Sequence, residues 1–430
     1  LPRTSIVSYN FNFMKTENQQ VNIRMITKPN NAERYSIMGS NQAMEKISFF
    51  AIKKFYGPQE AERIASQYSR APVTAQTLID DFGKFDNPYI KPCKLQAFNE
   101  ALSDLTNVFG TNKFHPVHFC DVPLYRWNLA TSVGEPYCND PVLKGLIADA
   151  YASGSLETPR LSKFNAVNYV LLKTRPTVHN IKEGKLKKVP TSWKTRVLAR
   201  SHLSTPDKPK VRAVYAVPFP ILLIECMFFW PVIAYLKEST KSPLLWGYET
   251  TRGGAKRIFH EMKSGDIILQ IDWKSFDKYL PFWLISAILD LLFELFDLST
   301  YVPSSVKPEY SKTSANPKRL KRLFDFIRES YFNSQIRTPD GATWKLNFCG
   351  LLSGCFGTQL IGSFANYIII TTCLKLLGIK YRQVKVQGDD SFTRLILGYI
   401  LSPVMQQLLI DLIASTAKQH FGLILSISKS

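Results

Sequence analysis

The chain has 430 residues, 45% apolar and 20% charged. These values exclude a disordered or collagen-like polymer and leave length for two or three cores of the usual ~100–150 residues. Lys and Arg number 54 against 34 Asp and Glu, a formal charge of +20, which attracts polyanions such as nucleic acid, nucleotides or an acidic membrane face.

Leu1-Pro2-Arg3-Thr4 leads into no apolar run, so no signal peptide is expected. Residues 1–130 read as mainly helical, for example over 41–56 and 59–69, and carry no motif with evident chemistry. Seven scattered cysteines with no CxxC pair exclude a disulfide framework and a structural zinc site. His115 and His118 are close, but no nearby Cys or carboxylate cluster completes a metal-ligand set, so they read as ordinary residues. Residues 131–137 form a Pro- and Gly-containing loop. Residues 182–212 are strongly basic, with Lys194, Arg196, Arg200, Lys208, Lys210 and Arg212 among ten cations.

Two apolar stretches follow. Residues 221–236 are broken by Glu225 and Pro231, and residues 280–298 by Asp290, Glu294 and Asp297. A bilayer span needs roughly 20 apolar residues with few charges, so both are expected to be buried helices and no membrane span is expected. A β-type run at 266–271 ends at Asp272, and a helix is expected from about 282 to 296. Residues 299–322 read as an exposed polar insertion, and 364–377 as a helix. Strands at 381–387 and 391–397 flank Gly388-Asp389-Asp390, a hairpin signal. A helix over 404–421 ends at Gly422. The order implies an α+β fold with a small sheet among many helices. The start without Met and the end at Lys429-Ser430, with no closing element, suggest a fragment.

Three strings can carry chemistry. Asp389 and Asp390 concentrate charge at one turn, and adjacent carboxylates raise each other's pKa unless a cation sits between them. Hard oxygen ligands suit Mg²⁺ or Mn²⁺. Taken alone, the tripeptide reads first as a solvated turn. In Ile271-Asp272-Trp273-Lys274-Ser275-Phe276-Asp277, Asp272 ends a strand and Asp277 opens a helix. Asp272 reaches the metals of Asp389 if the two strands are neighbours, while Trp273 and Phe276 read as core. Between these strings, Ser353-Gly354-Cys355-Phe356-Gly357-Thr358 runs into a helix bearing Ser363 and Asn366. Hydroxyls and an amide on one helical face can bond a ribose 2′-OH, although a capped amphipathic helix accounts for this stretch equally well.

Together the strings resemble the ordered motifs of a viral RNA-dependent RNA polymerase, most like those of the partitivirus family of double-stranded RNA viruses. Asp272–Asp277 resembles motif A, 353–366 motif B and 388–390 motif C. Lys208-Pro209-Lys210-Val211-Arg212 resembles motif F, the 131–136 loop motif G, and 421–425 with Lys429 motif D. Leu352 and Cys355 stand where similar viruses often have Pro and Ser; neither position supplies a ligand.

The resemblance implies a right-hand polymerase. Residues 1–130 would be a helical extension or fingers, 131–265 fingers with motifs G and F, 266–300 palm, 301–345 a fingers insertion, and 346–430 palm, with motif E and the thumb missing. It implies RNA-templated RNA synthesis from NTPs for viral replication, with RNA template and product as partners. Two Mg²⁺ or Mn²⁺ ions would be held by Asp272 and Asp389 with Asp390 assisting. Asp277, Ser353, Thr358 and Asn366 would recognise ribose, so that Asn366→Ala relaxes the preference for NTPs over dNTPs. Lys210 and Arg212 would hold the triphosphate and base, and Lys429 would protonate pyrophosphate. Ser132, Gly134, Lys194, Arg196, Arg200 and Lys208 would contact RNA. Residence in host cytoplasm within virions, beside capsid protein, is implied as well. A reverse transcriptase-like enzyme, or an RNA-binding fragment silent for want of a thumb, are the competing readings.

Overall fold

The computed structural model describes residues 21–29, 42–71, 73–208, 210–261, 267–309, 315–397 and 401–426. Lys429 and Pro209 lie outside them. The strands are β1 (Ile23–Thr27), β2 (Ser69–Arg70), β3 (Thr195–Ser201), β4 (Leu203–Ser204), β5 (Val211–Ala216), β6 (Ile267–Leu269), β7 (Ile336–Arg337), β8 (Thr343–Leu346), β9 (Tyr381–Gln387) and β10 (Asp390–Leu395). They build a five-stranded sheet in the order β1-β8-β7-β3-β5, a three-stranded sheet β6-β10-β9, and a β2-β4 pair. The mixed α+β character is as the sequence suggests, but there are more sheets than the single small one expected.

The basic stretch 182–212 forms much of the larger sheet. β3 and β5 make an antiparallel hairpin with Arg200 opposite Arg212. β1 pairs with β8 some three hundred residues later, which ties the N-terminal stretch into this sheet. Asn22 completes the joint: its side-chain nitrogen donates to the Cys349 carbonyl at 3.0 Å, and its oxygen accepts from Phe348 N at 2.9 Å. The described residues around β1 are thus joined to this sheet.

Two helices, Phe219–Glu238 and Thr358–Leu376, are long and apolar enough to cross a membrane. Their apolar windows are 78% and 83% buried inside the protein, and they pack into one large core with the Phe282–Glu294 helix. Apolar residues on every face of a helix call for such burial. The helix expected at 364–377 begins six residues earlier, at Thr358.

The expectation for 299–322 needs correction. A helix starts at Pro317 and runs to Asn333, and Leu320, Leu323, Phe324 and Ile327 are buried on one face. The apolar spacing of three, four and seven residues marks a core helix; the Lys and Arg between those positions hid it. The Pro403–Phe421 helix ends as expected, with Gly422 at φ 72° as its left-handed cap.

Candidate active site

The three-stranded sheet brings two of the acidic strings together. Antiparallel pairing sets Thr393 against Leu269 and Leu395 against Ile267, and carried three residues further the same register sets Asp390 across from Asp272. Ser391 marks the continuation: its hydroxyl lies 3.2 Å from the Ile271 amide and 3.4 Å from the Ile271 carbonyl. On the other edge of this strand end, Ser426 N donates to the Asp272 carbonyl at 2.8 Å and Lys274 N to Ile424 at 2.8 Å. The stretch matched to motif D thus flanks motif A.

Asp389 and Asp390 are exposed, and Asp272 and Asp277 are partly buried. Gly388 takes φ 62°, the left-handed conformation a tight turn demands. Burial raises the Asp390 pKa, and the charges of Asp389 and Asp272 raise it further. Asp277 is raised chiefly by burial, with Lys278 opposing and Asp389 adding to the rise. Four carboxylates therefore share one electrostatic field. Such a hard-oxygen cluster with excess negative charge fits a divalent cation of the magnesium type.

Motif A turns sharply between its two acids. Ser275 adopts φ 49°, an uncommon conformation for a non-glycine residue, of a kind that clusters at functional sites. It carries the chain from Asp272 into the short Phe276–Tyr279 helix. Trp273 and Phe276 are buried, 3% and 5% exposed, and belong to the core as the sequence suggests.

Motif B grips the acidic turn. Ser363 Oγ accepts from Gly388 N at 2.8 Å and donates to Gln359 O at 2.6 Å. Asn366 Nδ2 donates to Gly388 O at 2.9 Å and to Asp390 O at 3.2 Å, while its Oδ1 accepts from Trp273 Nε1 at 2.8 Å. Asn366 is fully buried. The partners found for Asn366 are protein groups. Thr358 Oγ1 donates to Leu352 O at 2.6 Å and closes the loop, and Ser353 lies exposed on that loop.

The loop presses against β5. A Cβ on Gly354 would lie 1.7 Å from the Tyr215 carbonyl oxygen, so only glycine fits. From below, Glu225 Oε2 accepts the Phe356 amide at 2.5 Å. Burial pushes the Glu225 carboxyl up to about 7, against the pull of that amide and of Tyr331.

Arg200, Lys208, Lys210 and Arg212 are exposed, and Lys194 and Arg196 half-buried, with an Arg196 guanidinium nitrogen 3.4 Å from Cys138 Sγ. His202 is lowered by burial and then by Arg212, Arg200, Lys210 and Arg70. Arg70, from β2, is a cation of this group that carried no signal in the sequence. Lys182, at the start of the basic stretch, is buried and donates to Tyr301 Oη at 2.8 Å. Ser132 is half-buried and takes the Gly134 amide at 3.2 Å. Gly134 is itself buried, its Cβ position 3.0 Å from the Val217 carbonyl, so packing accounts for it.

The reading of His118 also changes. Its ring, the Cys120 thiol and the Asp121 carboxylate bring ligand atoms within 4.8 Å of one another. Their bonds suit a helix cap better than a cation. His118 Nδ1 lies 3.3 Å from Cys120 N, and Asp121 Oδ1 accepts from Ser305 N and Val306 N, both at 3.1 Å. Burial and then Lys182 hold the His118 pKa down to about 4.

A family profile described as viral RNA-dependent RNA polymerase matches residues 186–396. The chain is 28% identical to the RNA-directed RNA polymerase of White clover cryptic virus 1 (isolate Boccardo/2004), over 88% of the chain and 69% of that protein. It is 27% identical to the RNA-directed RNA polymerase of Atkinsonella hypoxylon virus (isolate 2H), over 88% of the chain and 62% of that protein.

Over these stretches the chain is similar to the viral RNA-dependent RNA polymerases.

The profile covers the basic hairpin, Asp272, the motif B helix and the 388–390 turn, and leaves out Ser132, Gly134 and Lys429. Sequence reasoning missed two buried acids that pack beside this candidate site. Asp81 pairs with Lys278 at 2.7 Å and accepts from Ala213 N at 2.8 Å, each one residue past the stretches likened to motifs A and F. Neither Asp81 nor Glu225 lies in a recognisable string, and Lys278, Ala213 and Phe356, which they contact, are more than a hundred residues away.

Proposed function

We propose that this chain synthesises RNA on an RNA template, joining NTPs with release of pyrophosphate, in the replication of a viral genome. The observation that carries the reading is the antiparallel register that brings the 388–390 turn beside the strand end at Asp272, where burial and then the charges of Asp389 and Asp272 raise the Asp390 carboxyl. In this reading Asp272 and Asp389, with Asp390, hold two Mg²⁺ or Mn²⁺ ions. When bound, such ions lower the pKa of an attacking hydroxyl and stabilise developing charge on phosphate.

The protein's own groups position the substrates. The cation group on the β3–β5 hairpin, with Lys210 and Arg212, draws in the triphosphate. Asp277, Ser353 and Thr358 lie on the segments that face the sugar. Lys194, Arg196, Arg200 and Lys208 neutralise RNA phosphates, and Lys429 supplies the proton to pyrophosphate. Residues 266–300 and 346–430 correspond to a palm and 131–265 to fingers. Residence in host cytoplasm inside virions, beside capsid protein, belongs to the same proposal.

The test is incorporation of labelled NTPs and dNTPs by the full chain on a defined RNA template with Mg²⁺ or Mn²⁺. NTP incorporation that disappears in Asp389→Ala and Asp272→Ala supports the reading. Preferential dNTP incorporation points to a reverse transcriptase, and alanine variants as active as the parent overturn the site.

A further inference from the structure

We propose that Asn366, with Ser363 and Trp273, forms a positioning clamp that sets the 388–390 turn against the Asp272 strand, and that Asn366 does not read the ribose. The proposal rests on the polymerase reading of the acidic site.

The hydrogen bonds argue for it. An amide side chain offers two donors and one acceptor oxygen. Asn366 directs its donors to the carbonyls of Gly388 and Asp390, and its oxygen takes the Trp273 indole N–H. Ser363, one turn earlier on the same helix, takes the Gly388 N–H. One helix therefore holds three backbone groups of the turn that carries Asp389 and Asp390. Through Trp273 the same amide reaches the residue next to Asp272.

Geometry leaves little room for another role. Asn366 is fully buried, whereas Asp389 and Asp390 beside it are exposed. Gly362, also on this helix, faces the turn: a Cβ there would lie 4.0 Å from Gly388 Cα, in ordinary contact. The acids repel one another, and a turn without fixed backbone partners would splay to separate them. Hydrogen bonds to buried, pre-placed partners oppose that movement.

Two variants of nearly unchanged shape test the clamp. Asn366→Asp keeps the oxygen facing Trp273 and loses both donors; Trp273→Phe keeps the ring and loses the N–H. Three quantities are measured on the full chain: Mn²⁺ affinity without nucleotide, by electron paramagnetic resonance, the KM and kcat for NTPs, and the NTP-to-dNTP ratio. Circular dichroism verifies folding. The clamp predicts that Asn366→Asp weakens Mn²⁺ binding and lowers kcat by about tenfold or more, with KM and the NTP-to-dNTP ratio within about twofold of the parent. Trp273→Phe should shift the same quantities in the same direction. A changed ratio with unaltered Mn²⁺ affinity would return Asn366 to the ribose and overturn the clamp, as would parental Mn²⁺ affinity and kcat in Asn366→Asp. Should the parent polymerise neither NTPs nor dNTPs, the polymerase reading fails. The clamp is then judged on Mn²⁺ affinity alone, with Asp389→Ala marking complete loss.

Discussion

Glu225 shows how a single buried group shapes this site. Its carboxyl has no ion-pair partner among the described residues, accepts from the motif B loop, and is pushed by burial to about 7 from a reference of 4.5. The folded protein thus binds this proton more tightly than the unfolded chain. The resulting stability is fully present below the unfolded pKa and is lost as pH rises towards about 7. A glutamine keeps an oxygen for the Phe356 amide and carries no charge. Glu225→Gln should therefore leave stability near pH 4 little changed and raise it at pH 8 by up to roughly 3 kcal/mol, as read by urea unfolding. An equal effect at both pH values would remove the titration from Glu225. Gly354 makes the complementary point in sterics: Gly354→Ala forces a Cβ into the Tyr215 carbonyl, and a loss of about 1–3 kcal/mol is expected from such overpacking. The acids were legible at this scale because strand ends and a Gly-Asp turn announce them locally. Asn366 was legible as a residue that matters, but its partners depend on how distant strands pair, which no local string records.

At the scale of elements, the β3–β5 hairpin holds an electrostatic tension. Arg200 faces Arg212 directly across the two strands, and like charges so placed destabilise a sheet. Arg70 and Lys210 add to the same field around His202. A bound polyanion relieves that repulsion, so triphosphate should raise the melting temperature of the parent, and less so for Arg212→Ala or Arg70→Ala. The shift should shrink as salt is added; no difference between parent and variants would separate the hairpin from anion binding. Alternation and turn residues made the 381–387 strand readable to the residue, and the final helix nearly so. The Pro317–Asn333 helix was misread because its charges dominate the composition while its apolar face is set by spacing.

Across the whole molecule, described segments of the first hundred residues are tied to later parts of the chain. β1 completes the five-stranded sheet beside β8, and Asp81 carries one of the few buried ion pairs. Both partners of the Asp81–Lys278 bridge are 7% exposed. Burial favours the neutral acid, but hydrogen bonds from Lys278 and Lys84 outweigh it and hold Asp81 below the usual carboxylate range. Removing one partner leaves an uncompensated charge in the interior, so Asp81→Asn should cost about 3–5 kcal/mol in urea unfolding. A cost near that of a surface pair, below about 1 kcal/mol, would contradict this account. None of these contacts could be read from sequence, because each joins segments whose proximity is created by the fold itself.

The central claim is that acids more than a hundred residues apart in the chain serve one cation site. Mn²⁺ titration of the full chain, followed by electron paramagnetic resonance in the parent, Asp272→Asn and Asp389→Asn, tests it most directly. The account predicts saturable binding in the parent that either substitution alone weakens severely. Binding that survives intact in Asp272→Asn while vanishing in Asp389→Asn would contradict it.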